Sequence, residues 1–237
     1  MAITFTNKAS LFTGSNATSY ATGLQTPTAD RIQIATVTNV NNLAGAPATP
    51  TLSGNGLTWE QVDTYLSDST GTKTRITIFA ALTGGTPSEE AVTADFGAET
   101  QLGCNIIVDE DNGEVDISGA AALDAIVQSV TGTVNGSGTS ESITLAALAD
   151  ANNASYGSFN IQLNEAMVEG TDYTITAQGG NSGPASHTAA EYLAPGSTTV
   201  DISWTTSAAK GGIALEIKAE VAGGGTILPQ MLQHHGG

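Results

Sequence analysis

The chain has 237 residues, of which 40% are apolar and 12% are charged, so it is long and apolar enough to bury a core and is not composed like a disordered protein. Its 23 acidic and 6 basic side chains give a formal net charge of -17, which disfavours nucleic acid and anionic membranes as partners. The single cysteine, Cys104, excludes an internal disulfide.

Apolar and polar residues alternate with a period of two along most of the chain, which is the pattern of half-buried β-strands. The alternation predicts strands over 31–37, 57–66, 73–80, 90–96, 104–108, 125–134, 140–145, 156–163, 172–177, 198–204 and 212–218. Turns rich in Gly, Pro and Asn separate them. Many short strands at regular spacing predict an all-β fold, an antiparallel β-sandwich or jelly-roll-like domain over residues 24–221.

The two ends of the chain differ from this middle part. Residues 1–23 are expected to form an extended segment, and they lack the basic start and long apolar run of a signal peptide. Residues 222–237 begin with a glycine tether and carry the apolar side chains Ile227, Leu228, Met231 and Leu232. We interpret them as an arm that docks on a neighbouring subunit. The alternative is a tail that is disordered or folds back onto its own sandwich.

An acidic run at residues 109–116 is the best candidate for a metal site. Asp109, Asp111 and Asp116 alternate around an Asn-Gly turn and could supply oxygen ligands to calcium. The match to a helix–loop–helix calcium loop is poor, and the alternative is a solvated loop between strands. No other cofactor is expected.

Aromatic and reactive side chains give little sign of catalysis. Tyr192 lies in a loop-like stretch and is the candidate for stacking on a sugar, whereas Trp59 and Trp204 lie in regular strands and are expected to pack in the core. His187 lies in a polar stretch predicted as a loop, and no sequence pattern joins a nucleophile to a base, binds a phosphate or pairs zinc ligands. We therefore expect a protein that is not an enzyme.

Three stretches carry a resemblance to a known group of proteins: residues 51–62 with 76–80, residues 115–119 with 124–129, and residues 200–204 with 213–218. Together they resemble a loosely defined group of β-sandwich proteins from tailed-phage genomes and prophages. The resemblance implies a β-sandwich and a structural role in the virion, and it carries no catalytic residues to transfer.

These observations lead to one main functional hypothesis and two alternatives. The main hypothesis is a capsid decoration or head-surface protein, located on the virion, that assembles with copies of itself and with the major capsid protein. The first alternative is a carbohydrate- or receptor-binding module of a phage tail tip, a tail fibre or a bacterial adhesin. The second is a hydrolase of cell-wall sugars, which would need two carboxylates facing a groove.

Overall fold

The structure, a computed structural model, describes residues 2–42, 45–68, 73–132 and 136–220. It confirms the all-β prediction, because these residues form fifteen strands in three antiparallel sheets, consistent with a β-sandwich. One 3₁₀ helix, Ala122–Ala125, interrupts the strands. Within the same ranges, no helix has the length and apolar character needed to cross a membrane.

The strands are, in chain order, β1 Phe5–Thr13, β2 Ser19–Gln25, β3 Ile32–Asn41, β4 Thr51–Ser53, β5 Glu60–Asp68, β6 Lys73–Leu82, β7 Glu90–Asp95, β8 Gly103–Asp111, β9 Ile126–Thr131, β10 Ser137–Thr144, β11 Ala154–Ile161, β12 Val168–Glu169, β13 Thr174–Ser182, β14 Ala185–Leu193 and β15 Thr199–Ile217.

The first half of the chain builds two of the sheets. A five-stranded sheet has the order β1-β8-β3-β6-β5, and a three-stranded sheet has the order β2-β7-β4. In β3, Ile32 and Ile34 join the central core cluster, whereas Ala35 and Val37 join the cluster that includes Val92 of β7. Because successive side chains of a strand point to opposite faces, the central strands β3 and β8, which are buried throughout, are covered on both faces.

The second half builds a seven-stranded sheet in which β15 is shared between two parts. The N-terminal part of β15 pairs with β10 and β12, and its C-terminal part pairs with β11 and β9. A Cβ placed on Gly157 of β11 would lie 2.7 Å from Val200 Cγ1 of β15. The sheet therefore folds over itself along β15, and the fold encloses a cluster that includes Phe159 and Trp204.

The central cluster joins the two halves of the chain. Ile78 and Ile107 of the five-stranded sheet pack in the same cluster as Tyr156 and Leu215 of the seven-stranded sheet. The ring of Phe5 meets the ring of Tyr156 edge-on at a centroid distance of 5.4 Å. The first half therefore packs against the second through apolar contacts, and buried polar pairs such as Asn105 with Thr188 lie at the same interface.

Residues 1–23, predicted from the sequence to form an extended segment, contribute to both sheets of the first half. β1 pairs with β8 from Phe5↔Asp111 to Thr13↔Cys104, and β2 pairs with β7. At the other end, residues 221–237 lie outside the described residues, and with them the four predicted arm side chains, Ile227, Leu228, Met231 and Leu232.

One strand of the seven-stranded sheet, β14, was predicted in part as loops. Residues 185–193, parts of which the sequence analysis assigned to loops around His187 and Tyr192, form β14 between β11 and β13. Most of β14 is buried on both faces, and its small residues Ala189 and Ala190 give no alternation of apolar and polar side chains. The period-two pattern therefore could not reveal it.

Candidate functional site

The first part of the acidic run lies inside the fold. Asp109, Glu110 and Asp111 are the last three residues of β8, and each is at most 4% exposed. The expectation of a solvated loop is therefore wrong for these three residues, because β8 lies between β1 and β3 and is covered on both faces. A buried carboxylate has to be compensated by hydrogen bonds or charge.

Asp109 is compensated by three donors from three different strands. Its Oδ2 accepts hydrogen bonds from the Tyr156 hydroxyl at 2.7 Å and the Thr176 hydroxyl at 2.5 Å, and its Oδ1 accepts one from Asn7 Nδ2 at 3.1 Å. Burial raises the pKa of Asp109, and these hydrogen bonds oppose that shift. The carboxyl group fastens the five-stranded sheet to the seven-stranded sheet.

Glu110 and Asp111 fasten neighbouring segments in the same way. Glu110 accepts hydrogen bonds from Gln33 Nε2 and from the backbone of Thr28, and it pairs with Lys8 at 3.1 Å. Asp111 accepts backbone hydrogen bonds from Ile32, Gly113 and Val115, which shape the turn that follows β8.

Asp116, the third predicted calcium ligand, is engaged elsewhere. Its carboxylate lies 2.6 Å from Lys218 Nζ, and that contact lowers the pKa of Asp116 to about 2. In the part of the chain that the structure describes, no group of three or more His, Cys, Asp or Glu side chains is placed to hold a metal ion. The structure gives Asp109, Asp111 and Asp116 separate protein partners, and calcium binding stays a prediction.

The aromatic candidates are partly or fully covered. Tyr192 is half-buried in β14, and its ring meets the ring of Phe5 edge-on at 5.7 Å. Trp204 is buried and donates a hydrogen bond to the Gly138 carbonyl at 2.9 Å, whereas Trp59 is half-buried. The prediction of core packing is confirmed for Trp204. Sugar stacking by Tyr192 stays a prediction, with one part of the ring already occupied.

Two titratable side chains that the sequence did not single out as buried lie on β14. His187 is 7% exposed, its ring nitrogens face Asn164 Oδ1 and Gln178 Oε1, and burial lowers its pKa. Glu191 is fully buried and accepts a hydrogen bond from the Gly170 backbone at 3.3 Å. Burial raises the pKa of Glu191 to about 8, which keeps its carboxyl group largely protonated at neutral pH.

The C-terminal end of the described chain is fixed to the edge of the fold. The backbone of Lys218 donates to Ala125 and accepts from Asp116, and the backbone of Glu220 donates to Glu114. Glu220, which is exposed, therefore lies at a defined point on the surface of the fold.

A cleft that the sequence analysis missed lies at the start of the 3₁₀ helix. It has a volume of about 500 Å³, and its walls include the turn 84–86 after β6 and the residues 120–122 before the 3₁₀ helix. The only sequence signal for it is the small size of the residues in both walls, such as Gly84, Gly85 and Ala120, which short turns also favour.

Comparisons with protein-family models, with curated proteins and with solved structures find no match to this chain.

Proposed function

We propose that this chain is a non-enzymatic structural protein of a bacteriophage virion. Its place is the capsid surface, as a decoration or head-surface protein that assembles with copies of itself and with the major capsid protein. The resemblance of three sequence stretches to β-sandwich proteins of tailed phages motivates the setting. The formal net charge of -17 suits a protein that faces solvent and keeps away from packaged DNA.

The hydrogen bonds and ion pair of three buried carboxylates are the observation that supports a structural role. Asp109, Glu110 and Asp111 bind the N-terminal strand, the start of β3 and the seven-stranded sheet into one body. Carboxylates can act in catalysis in other proteins, but the contacts of these three hold strands and sheets together. That use favours a rigid scaffold whose function lies in its outer surface.

The anchored C-terminus supports assembly through an arm. Backbone hydrogen bonds fix the chain as far as Glu220, and the four apolar side chains follow within the next twelve residues, 221–232. An apolar segment tethered to a rigid body gains affinity for a neighbour through effective concentration, without a large rigid interface.

The proposed location in the virion is tested by counting the copies of this chain in purified particles. Quantitative mass spectrometry of virions is expected to find this chain in hundreds of copies, in a fixed ratio to the major capsid protein. Absence from particles contradicts the proposal, and a few copies per particle favour a tail tip or fibre.

The test of the arm is deletion of residues 222–237, with light scattering after size-exclusion chromatography. We expect the full chain to form an oligomer and the truncated chain to be a folded monomer. Truncation that leaves the oligomer intact contradicts a role for the arm. A stable full-length monomer that binds a glycan array favours the carbohydrate-binding alternative.

A further inference from the structure

One oxygen of the buried Glu191 carboxyl group lacks a partner. Glu191 is 0% exposed, its Oε2 accepts the hydrogen bond from Gly170 N at 3.3 Å, and its Oε1 has no hydrogen-bond partner within the described residues. Asp109 and Glu216 are equally buried, but both oxygens of each accept hydrogen bonds. An unsatisfied buried oxygen such as Glu191 Oε1 points to a bound water or ion.

Protonation does not satisfy Glu191 Oε1. If the carboxyl group is ionised, it is a buried charge without compensation. If it is protonated on Oε1, the new O–H donor has no acceptor, so a buried polar group is still unpaired. A water molecule would supply a hydrogen bond but no charge. A cation at Oε1 supplies both a ligand bond and the missing positive charge.

A second carboxylate lies next to the same glycine. A Cβ placed on Gly170 would be 2.9 Å from Asp201 Oδ1, so Asp201 of β15 and Glu191 of β14 both approach Gly170. Asp201 is half-buried, and Glu169, the residue before Gly170, is exposed. The charges of Asp201 and Glu169 both act on Glu191. Glu191 therefore belongs to a group of negative charges that reaches the surface through these two residues.

The positive charges of the second half of the chain are engaged elsewhere. This half contains two lysines, Lys210 and Lys218, and no arginine. Lys210 pairs with Glu141 at 2.9 Å, and Lys218 pairs with Asp116 at 2.6 Å. Within the described residues, the charged groups that act on Glu191 are all negative. A cation from solution can therefore supply the charge that the protein does not.

We propose that Glu191 and Asp201 bind one calcium ion beside Gly170. Carboxylate oxygens suit a hard cation, and calcium takes six to eight oxygens in a flexible geometry, so water and backbone oxygens can complete a shell that has only two carboxylates. These ligands differ from the carboxylates at residues 109–116 that the sequence predicts for calcium. The inference goes beyond the proposed function and does not depend on it.

The first test is isothermal titration calorimetry of the full chain with CaCl2 after removal of metal by a chelator. About 0.15 M KCl screens general attraction to the negative protein. We expect one site with a Kd of about 0.1 to 1 mM, and at least about tenfold weaker binding of Mg²⁺, which gives up its water less readily. A Kd for Ca²⁺ above about 10 mM, or equal affinities for the two cations, overturns the proposal.

Ligand variants assign the binding to this site. Glu191→Gln and Asp201→Asn each remove one negative ligand with little change of shape, and each is expected to weaken calcium binding at least about tenfold. Because Asp201 is half-buried, Asp201→Asn still tests the site if Glu191→Gln folds poorly. Near-ultraviolet circular dichroism checks the fold of both.

Two control variants remove the same charge elsewhere. Glu89→Gln changes an exposed glutamate of the first half, and Asp116→Asn changes a carboxylate of the site predicted from the sequence. Both are expected to bind calcium as the unmodified chain does. Equal affinities of Glu191→Gln and Glu89→Gln, or binding that is lost only in Asp116→Asn, overturns the proposal.

The position of the ion is tested by NMR spectroscopy with Gd³⁺ in place of Ca²⁺, because the unpaired electrons of Gd³⁺ broaden the signals of nearby amides. We expect the amide signals of Gly170 and Asp201 to broaden, that of Glu89 to stay sharp, and excess CaCl2 to reverse the effect. Broadening that spares Gly170 and Asp201 overturns the proposal.

Discussion

Asp109 shows how a single side chain can determine the packing of two sheets. It is fully buried, and its three hydrogen-bond donors belong to β1, β11 and β13. A carboxyl group in such a place costs free energy unless its partners are all present. Removing it takes the carboxylate acceptor from the hydroxyl of the fully buried Tyr156, whereas Asn7 and Thr176 keep hydrogen bonds to the carbonyls of Val108 and Ala190.

We predict that Asp109→Ala lowers the free energy of unfolding by about 3 to 5 kcal/mol. The matched variant Tyr156→Phe removes one of the three donors and keeps the ring in place, so it is expected to cost only about 1 to 2 kcal/mol. Chemical denaturation monitored by tryptophan fluorescence measures both. A cost for Asp109→Ala no larger than that of Tyr156→Phe contradicts the fastening role.

Glu191 makes the stability of the protein depend on pH between about 4.5 and about 8. Burial raises its pKa in the folded state to about 8, above the ordinary value of 4.5. Between these two values the unfolded chain releases the proton and the folded chain retains it, so stability falls as pH rises through this window. The penalty is complete above about pH 8 and is absent below about pH 4.5.

We predict that Glu191→Gln removes this loss, which is on the order of 4 kcal/mol between pH 4.5 and pH 9. The measurement is the free energy of unfolding against pH for the unmodified chain and the variant. Glu89→Gln, an exposed glutamate in the first half of the chain, is the control and is expected to follow the unmodified chain. Parallel curves for Glu191→Gln and the unmodified chain contradict the prediction.

At the scale of elements, β15 depends on two glycines that lie against aromatic rings. A Cβ on Gly211 would lie 2.2 Å from Tyr65, and one on Gly212 would lie 2.6 Å from Phe159. These glycines follow the part of β15 that pairs with β10 and begin the part that pairs with β11. Because these glycines have no side chains, the backbone of β15 can pass close to the two aromatic rings. The strand can therefore continue from its pairing with β10 to its pairing with β11.

We predict that Gly212→Ala destabilises the protein by about 1 to 3 kcal/mol, because the new methyl group overpacks the core against Phe159. Gly138→Ala, on the paired strand β10, is the control, since its Cβ would meet only Ser140 O, at 4.0 Å. Thermal denaturation of the two variants gives the comparison. Equal melting temperatures would show that Phe159 can move aside.

Sequence patterns predict those strands that alternate and miss those that do not. The prediction for 73–80 matches β6 closely, and those for 198–204 and 212–218 fall within or close to the single strand β15. β14 was missed because both of its faces are buried and several of its residues are small. The sequence could also not show that Asp109 meets Tyr156, because that contact depends on which sheets stack.

Across the protein, acidic side chains far outnumber basic ones. The chain has 17 more acidic than basic side chains, and folding brings these negative charges closer together. Their mutual repulsion lowers the stability of the folded state. Salt weakens this repulsion by shortening the distance over which charges act.

We predict that the melting temperature rises by several degrees when NaCl is increased from about 0.01 M to about 1 M, which shortens the screening length from about 30 Å to about 3 Å. Differential scanning calorimetry measures the effect. An uncharged osmolyte at equal osmolality is the control, and a similar rise with that osmolyte contradicts an electrostatic cause.

The order in which strands pair has a consequence for synthesis on the ribosome. β1 needs β8, which follows about a hundred residues later, and the last strand, β15, lies inside the seven-stranded sheet next to β9, β10, β11 and β12. Neither half can close its sheet until its final strand has emerged from the exit tunnel. Nascent chains therefore expose unpaired strand edges for most of translation, and full-length protein is expected to fold slowly and to benefit from chaperones.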